Sequence, residues 1–253
     1  AANIQRLRKL GVEFIEPKRE ENKAKLADLE EITSRVIRLL GPQDLASQRV
    51  LVVAGSTVEP IDDIRVVSNR SSGTTGVELA RVAFERGADV ELWMGRHEVL
   101  VPEWIPATMF DTTADLAKLA AKARADFCLV PAAIADFSPR KQAGKIPSRA
   151  GPFTLELAPT PKILAALRRS VKGILVGFKA ESGRTSHEMK AKALDLLREA
   201  KLDFVVANDV ARVKRDSTSI LIVDRKGRSI PFAGSKTLAV ERIWSTVLHG
   251  IPG

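Results

Sequence analysis

Tyrosine is absent from this sequence of 253 residues, and cysteine occurs once. Without tyrosine the chain cannot carry the Tyr/Lys pair, lysine four residues on, that short-chain-type oxidoreductases generally use. The single cysteine, Cys128, rules out a disulfide within the chain, and its setting in DFCLVPAA reads as a buried strand thiol rather than a reactive one. The three histidines, His97, His187 and His249, lie far apart with no metal-ligand spacing, which argues against a structural zinc site. Aromatic residues make up 5% of the chain, too few for the stacking surface of a single-strand nucleic-acid binder. No apolar run is long enough to cross a bilayer and no signal-peptide pattern is present, so a soluble, cytoplasmic protein without a membrane partner is expected. No G-x-G-x-x-G follows the first strand, and no G-x-x-x-x-G-K-[ST] loop occurs.

What is present is charge and alternation. Formal net charge is +9, from 40 Lys+Arg against 31 Asp+Glu, which suits an anionic ligand or a surface rich in both signs. The length and the 45% hydrophobic content suit one compact domain, or a large domain with an appendage. The sequence starts at Ala1 without a methionine, which reads as a processed chain or a piece of a longer one. Residues 1–48 read as an appendage and linker, with a helix over 22–40 and GPQDLASQ as connector; residues 49–253 read as the main domain.

From Arg49 the pattern is strand, helix, strand. RVLVVAG, DVELWMG, DFCLVPAA, ILVGFKA and DFVVAND read as strands, the unbroken apolar runs among them as strands covered on both faces. VELARVAFERG, TTADLAKLAAKA and HEMKAKALDLLREAK read as helices, the second with a Thr112/Asp115 capping box. SILIVDRKGRSIPF reads as a hairpin around Asp224 to Gly227, and SKTLAVERIWSTVLHGI as a closing helix capped by Ser235. The fold class expected is therefore α/β, Rossmann-like: a mostly parallel sheet with helices on both faces and an antiparallel hairpin extension near the C-terminus.

Polar residues collect at the C-terminal ends of these strands, where open parallel sheets bind ligands. They are Gly55, Ser56 and Thr57; Asp136; Lys179 and Glu181; Asn208 and Asp209. The stretch RVVSNRSSGTTG, Arg65 to Gly76, leads into a helix, and its SSGTTG suits an anion held on free N–H groups. The alternative is a Ser/Thr cap whose glycines only permit close helix–sheet packing. The loop Phe137 to Phe153 holds Arg140, Lys141, Lys145 and Arg149 with no acid. It reads as a basic lid over phosphates, or else as a solvated Pro/Gly excursion.

GSTVEPIDDIRVVSNRSSGTTG, AAIADFSPRKQAGKI, VGFKAE and VANDV, in that order, resemble the phosphopantothenate–cysteine ligase family of coenzyme A biosynthesis. The resemblance covers nearly everything from Arg49 onward. The start, NIQRLRKLGVEFIEP, is similar to the tail of the flavin-dependent decarboxylase fused ahead of the ligase in many microbes. The resemblance implies a fused or associated decarboxylase and no flavin in this chain. It implies that CTP, with Mg²⁺, activates phosphopantothenate as an acyl-cytidylate, and that the amine of L-cysteine then displaces CMP. It also implies a homodimer whose site is completed by the partner subunit.

Carried over motif by motif, Asn69 is implied in the acyl-cytidylate step, with Arg65 in the same loop and Lys145 as a lid lysine on the triphosphate. Ser71, Gly73 and Gly76 match positions that hold the phosphopantothenate phosphate, with Gly55, Asn69, Phe178 and Asn208 near that substrate. Ala132, Asp136, Pro161, Lys162, Ile163, Leu164 and Phe178 match the nucleotide side. Each has a plain alternative: an Asx-turn for Asn69, a surface ion pair for Arg65, a cap or loop role for Asp136, a helix start for Pro161. The chain departs from the family pattern at Thr74, often lysine, and at Phe137, often tyrosine. The family's pair of helix lysines aligns with none of Lys190, Lys192 and Lys201 cleanly, and the residues name no metal ligand. The rival readings are a nucleotide-dependent oxidoreductase and a basic nucleic-acid-binding module.

Overall fold

The computed structural model describes residues 2–20, 23–147, 151, 153–209 and 217–251. Three elements precede the main sheet: helix α1 (Ala2–Lys9), the ribbon β1 (Lys18–Glu20) with β2 (Lys23–Lys25), and helix α2 (Leu29–Leu40). The helix expected over 22–40 is thus shorter: Asn22 lies outside the described residues, and Lys23–Lys25 pair antiparallel with Lys18–Glu20. Asp28 sits extended at the helix start, makes no side-chain cap, and gives its carboxylate to Lys18 instead. α2 is fastened to the main domain by polar contacts. Ser34 Oγ donates to the buried Glu85 carboxylate at 2.7 Å, and the Arg38 guanidinium reaches the carbonyls of Phe84, Gly87 and Ala88 at 2.6–2.9 Å.

The remaining elements, in chain order, are β3 (Arg49–Ala54), β4 (Val58–Pro60), β5 (Val66–Ser68), α3 (Thr74–Glu85), β6 (Asp89–Met94), β7 (Ala107–Met109), α4 (Thr113–Ala120), β8 (Phe127–Val130), β9 (Phe137–Pro139), β10 (Leu157–Pro159), α5 (Ile163–Ser170), β11 (Ile174–Glu181), α6 (Ser186–Ala200), β12 (Phe204–Asp209), β13 (Ser217–Asp224), β14 (Ser229–Ser235) and α7 (Lys236–His249). The main sheet has eight strands in the order β14-β13-β12-β11-β8-β3-β6-β7. β12 through β7 are parallel, and β13 and β14 add antiparallel at one edge. Counted along the chain, the six parallel strands lie 3-2-1-4-5-6, the doubly wound Rossmann order, so direction reverses between β3 and β8.

Strand alternation sends neighbouring residues to two cores. Val50, Val52, Ala54 and Leu129 face α3 and α7, where Trp244 is fully buried and donates its indole N–H to Leu79 O at 3.1 Å. Leu51, Val53, Cys128 and Val130 face the side of α4, α5 and α6. Helix starts follow the sequence: Thr112 with Asp115 forms the expected capping box, Thr185 with Glu188 forms a second, and Ser235 Oγ accepts from Leu238 N–H. The hairpin turn at Asp224 is held by its carboxylate, which accepts from Lys226 and Arg228 N–H at 2.9 Å.

Candidate active site

A cleft of about 1000 Å³ opens at the C-terminal ends of β8, β11 and β12, beside the switch point. It is walled by Asn69 to Ser72 and the first turn of α3, by Val130 to Asp136, by Thr160 to Ala165, and by Phe178 and Asn208. Of the residues singled out in the sequence, the cleft therefore gathers Asn69, Ser71, Ala132, Asp136, Pro161, Lys162, Ile163, Leu164, Phe178 and Asn208. Gly55, Arg65, Gly73, Gly76 and Lys145 are not in its lining.

The glycines at this edge have backbone reasons of their own. Gly76 is in the first turn of α3, and a Cβ there would stand 2.1 Å from Ala54 Cβ. Only glycine lets α3 lie this close to β3. Gly73 caps α3 in the left-handed region, φ +82°, without a side-chain cap of its own. Its neighbour Ser72 Oγ accepts weakly from Thr74 N–H at 3.4 Å. Gly55, φ +77°, turns the chain out of β3 where a Cβ would fall 2.8 Å from Arg96 O. The chain on either side of α3's cap thus presents Ser71, Ser72, Thr74 and Thr75 to the cleft at the positive end of a helix.

Asn69 follows β5, and its Nδ2 donates to Ile134 O at 3.2 Å, so the exposed side chain bridges the two loops of the cleft. The AAIAD loop is held from behind. Ala135 N–H donates to Thr57 Oγ1 at 2.9 Å, and Thr160 Oγ1 donates to Ala135 O at 2.5 Å. The buried Glu59 carboxylate accepts from Thr113 N–H at 2.9 Å and Thr113 Oγ1 at 2.6 Å. Ser56, Thr57 and Asp209, expected among the converging polar residues, are buried in this scaffold instead: Asp209 accepts from Gly183 N–H at 3.0 Å. Asp136 is exposed and pairs with Lys162 at 3.0 Å, which raises the Lys162 pKa through the hydrogen bond and the charge. Lys162 is the N-cap of α5; Pro161 precedes the helix rather than starting it.

The loop after Asp136 leaves and returns as a ribbon, β9 paired antiparallel with β10. Arg149 falls outside the described residues. Residues 141–146 are tied to the loop between β4 and β5. Gln142 N–H donates to Ile61 O at 2.8 Å, Gly144 N–H to Asp63 at 3.0 Å, and Lys141 pairs with Asp63 at 2.9 Å. Asp62 is buried and accepts from Arg65, Ile64 and Ile146 N–H, chiefly that of Arg65, which holds its carboxyl down at about 2. Arg65 itself pairs with Asp62 at 2.9 Å and reaches Ile146 O at 3.1 Å. Its side chain joins residues 141–146 to the β4–β5 loop and is not in the cleft lining.

The polar residues of the wall that sequence reasoning missed include Arg70, Glu78, Thr160, Glu199, Thr218 and Lys236. Arg70 lies within the RVVSNRSSGTTG stretch and Glu78 just beyond it. Thr218 and Lys236 come from β13 and α7, brought in because β13 pairs back along β12, Asn208 opposite Ile220. Arg70 and Lys236 carry no ion pair among the described residues, leaving two cations for an anionic ligand. Lys179 lines the cleft and pairs with Glu181 at 3.5 Å; Lys192 pairs with the same carboxylate at 3.3 Å but is not in the lining. Among the described residues no group of three His, Cys, Asp or Glu converges to hold a metal ion, and no helix is long and apolar enough to cross a membrane.

Comparisons with known proteins bear on the family and the fold. Residues 45–250 match the family described as DNA/pantothenate metabolism flavoprotein, C-terminal domain. The coenzyme A biosynthesis bifunctional protein CoaBC of Thermococcus kodakarensis is 39% identical over 250 residues, covering 97% of this chain and 62% of that protein. The protein of the same name from Mycobacterium tuberculosis is 34% identical over 278 residues, covering 99% of this chain and 66% of its own length. The chain thus spans under two thirds of the length of these relatives. A crystal structure of the C-terminal domain of a CoaBC superposes with TM-score 0.67 at 26% identity, covering 81% of this chain and 96% of that one. The DNA/pantothenate metabolism flavoprotein of Streptococcus pneumoniae shares the fold at TM-score 0.72 and 22% identity, covering 79% of this chain and 98% of that one. With four fifths of its length matched and the same sheet, the chain belongs to the family of DNA/pantothenate metabolism flavoprotein C-terminal domains.

Proposed function

We propose that this chain is a phosphopantothenate–cysteine ligase acting in coenzyme A biosynthesis in the cytoplasm, with CTP as the activating nucleotide and Mg²⁺ bound as part of that substrate. One observation carries the reading: a single cleft at the sheet's switch point joins Asn69 and the Ser71–Thr75 anion cradle to the AAIAD loop and Lys162. Two phosphorylated substrates need two adjacent anion-binding walls, and the placing of these two segments in the walls of one cleft supports that reading. In this reading the phosphopantothenate phosphate sits at the α3 N-terminus, and the nucleotide lies along Ala132–Asp136 and Pro161–Leu164, against Phe178.

The chemistry has two steps. A carboxylate oxygen of phosphopantothenate attacks the α-phosphorus of CTP, and pyrophosphate leaves with the electron pair of the broken P–O bond. The cysteine amine then attacks the acyl carbon, loses a proton, and CMP departs as the amide forms. Asn69 is read as donating its amide to the acyl oxygen, exchanging its present bond to Ile134 O for the substrate. An amide donor aimed at that oxygen stabilises the charge that develops on it in the transition state. Gly73 and Gly76 then act by shaping the cradle rather than by touching the phosphate, and Gly55 by turning the chain out of β3.

Lys145 is exposed and outside the lining of its own chain's cleft. That position suits delivery into a partner subunit's site. Exposed Ile64, Val66, Phe137 and Leu157 near the lid and the β4–β5 ribbon suit a dimer contact. Residues 1–48 are read as the appendage leading from a decarboxylase, the domain that a bifunctional relative's remaining length would supply.

The test is pyrophosphate release with phosphopantothenate, Mg²⁺ and either CTP or ATP, without and then with L-cysteine. CTP-dependent release abolished in Asn69→Asp, with amide formed once cysteine is added and turnover slowed in Lys145→Gln, is the expected result. Release with neither nucleotide, under conditions where the chain is folded, overturns the reading.

A further inference from the structure

We propose that Asp62 is a positioning residue: its carboxylate locks the lid that bears Lys145 and the strand that leads to Asn69 into one frame. The inference rests on the function proposed above. Asp62 is 2% exposed, and its two oxygens do different work. Oδ1 accepts from Ile64 N–H at 2.8 Å and Arg65 N–H at 2.6 Å, which closes the turn between β4 and β5. Oδ2 accepts from Arg65 Nη1 at 2.9 Å and, across 84 residues of sequence, from Ile146 N–H at 3.0 Å. Arg65 Nη1 also reaches Ile146 O at 3.1 Å, so both backbone groups of Ile146 are held, one residue beyond Lys145.

The other end of the frame is equally tight. Arg65 runs directly into β5, which is paired with β4 and ends at Ser68. Ser68 Oγ donates to Thr57 O at 2.8 Å, and the next residue is Asn69. A shift of the lid by an ångström therefore moves either Asp62 or the ribbon carrying Asn69. The neighbouring Lys141–Asp63 pair is half exposed on both sides, and such pairs hold little by themselves. The buried, four-donor carboxylate is what fixes the register.

The two-oxygen division allows a clean perturbation. In Asp62→Asn the amide oxygen keeps the turn, and the NH₂ group faces Ile146 N–H and Arg65, donor against donor. The lid half breaks while the fold's turn remains. Three measurements on the full chain test this: kcat and KM, tryptic cleavage after Arg140, Lys141 and Lys145, and a double-mutant cycle with Lys145→Gln.

For Asp62→Asn we expect kcat to fall about 10- to 100-fold, the scale of an ångström-level misplacement, with KM for phosphopantothenate within about threefold. Lid cleavage should quicken several-fold, and Lys145→Gln should cost little more in the Asp62→Asn background. Unchanged kcat, or penalties that simply multiply, would overturn the proposal. Should Asp62→Asn fail to fold, hydrogen exchange on the wild type decides: the Gln142, Gly144 and Ile146 amides should be protected, and exchange at unstructured rates refutes the frame. A wild type without ligase turnover whose lid protection still depends on Asp62 overturns the ligase reading and supports the frame.

Discussion

Replacing Gly76 with alanine separates a packing glycine from a phosphate-contacting one. The new Cβ would lie 2.1 Å from Ala54 Cβ, in the layer where α3 crosses β3. Ordinary carbon contacts are about 3.5–4.0 Å, so the two elements must part by about 1.5–2 Å. Alanine in a helix gains about 1 kcal/mol over glycine, while overpacking costs about 1–3 kcal/mol, more for a clash with backbone-borne atoms. With a 2.1 Å clash the cost is taken at the upper end, about 3 kcal/mol. That leaves a net destabilisation of about 2 kcal/mol and a fall in Tm of about 4–8 °C at this chain length. The assay is thermal and urea unfolding of Gly76→Ala, Ala54→Gly and the pair together. Moving the methyl from strand to helix restores the space, so the double variant should recover about 1–3 kcal/mol relative to the sum of the singles. Because the first turn of α3 lines the cleft, KM for phosphopantothenate should rise in Gly76→Ala and return in the double variant. A Gly76→Ala protein as stable as wild type, or a double variant no better than additive, would refute the packing argument.

Three further outcomes are expected. Asp62 has its folded pKa depressed to about 2, so its contribution to stability is present above the ordinary carboxylate range and is lost as pH falls through that value. Acid titration of the unfolding free energy should then show the gap between wild type and Asp62→Asn closing from about pH 4 down to pH 2, and a gap independent of pH would contradict the assignment. Burial pushes the Cys128 thiol up to about 12, so an aromatic disulfide reagent should find no reactive thiol in the native chain and one in denaturant; rapid native labelling would place Cys128 elsewhere. Arg38→Gln removes three charge-assisted bonds to the end of α3 and should cost about 1.5–3 kcal/mol, read by urea unfolding. No change there would mean that α2 is not fastened through Arg38.

The layers follow from residue patterning alone. Runs such as RVLVVAG and ILVGF are apolar at almost every position, which a strand covered on both faces tolerates, and local caps mark helix starts between them. Thr112 with Asp115, Ser235 with Leu238 N–H, and the turn at Asp224 to Gly227 are contacts within a few residues, so spacing alone announces them. Asp136, Lys179 and Asn208 were legible by residue type at the ends of strands, whereas Asn69, Ala132 and Phe178 were marked only by the resemblance of their motifs to a family. Contacts between distant segments were settled only by the folded chain. Lys18–Glu20 and Lys23–Lys25 carry no β pattern and pair only because the chain folds back there. That Gly76 must stay bare to pass Ala54 became visible only when the helix lay on the strand. Thr218 and Lys236 enter the cleft through an antiparallel pairing at the sheet edge. Arg65, read either as part of the loop implied in the acyl step or as a surface ion-pair partner, holds a carboxylate three residues back and a carbonyl 81 residues on. Periodicity and caps encode contacts a turn apart; a partner that far along the chain is chosen only when the sheet has closed.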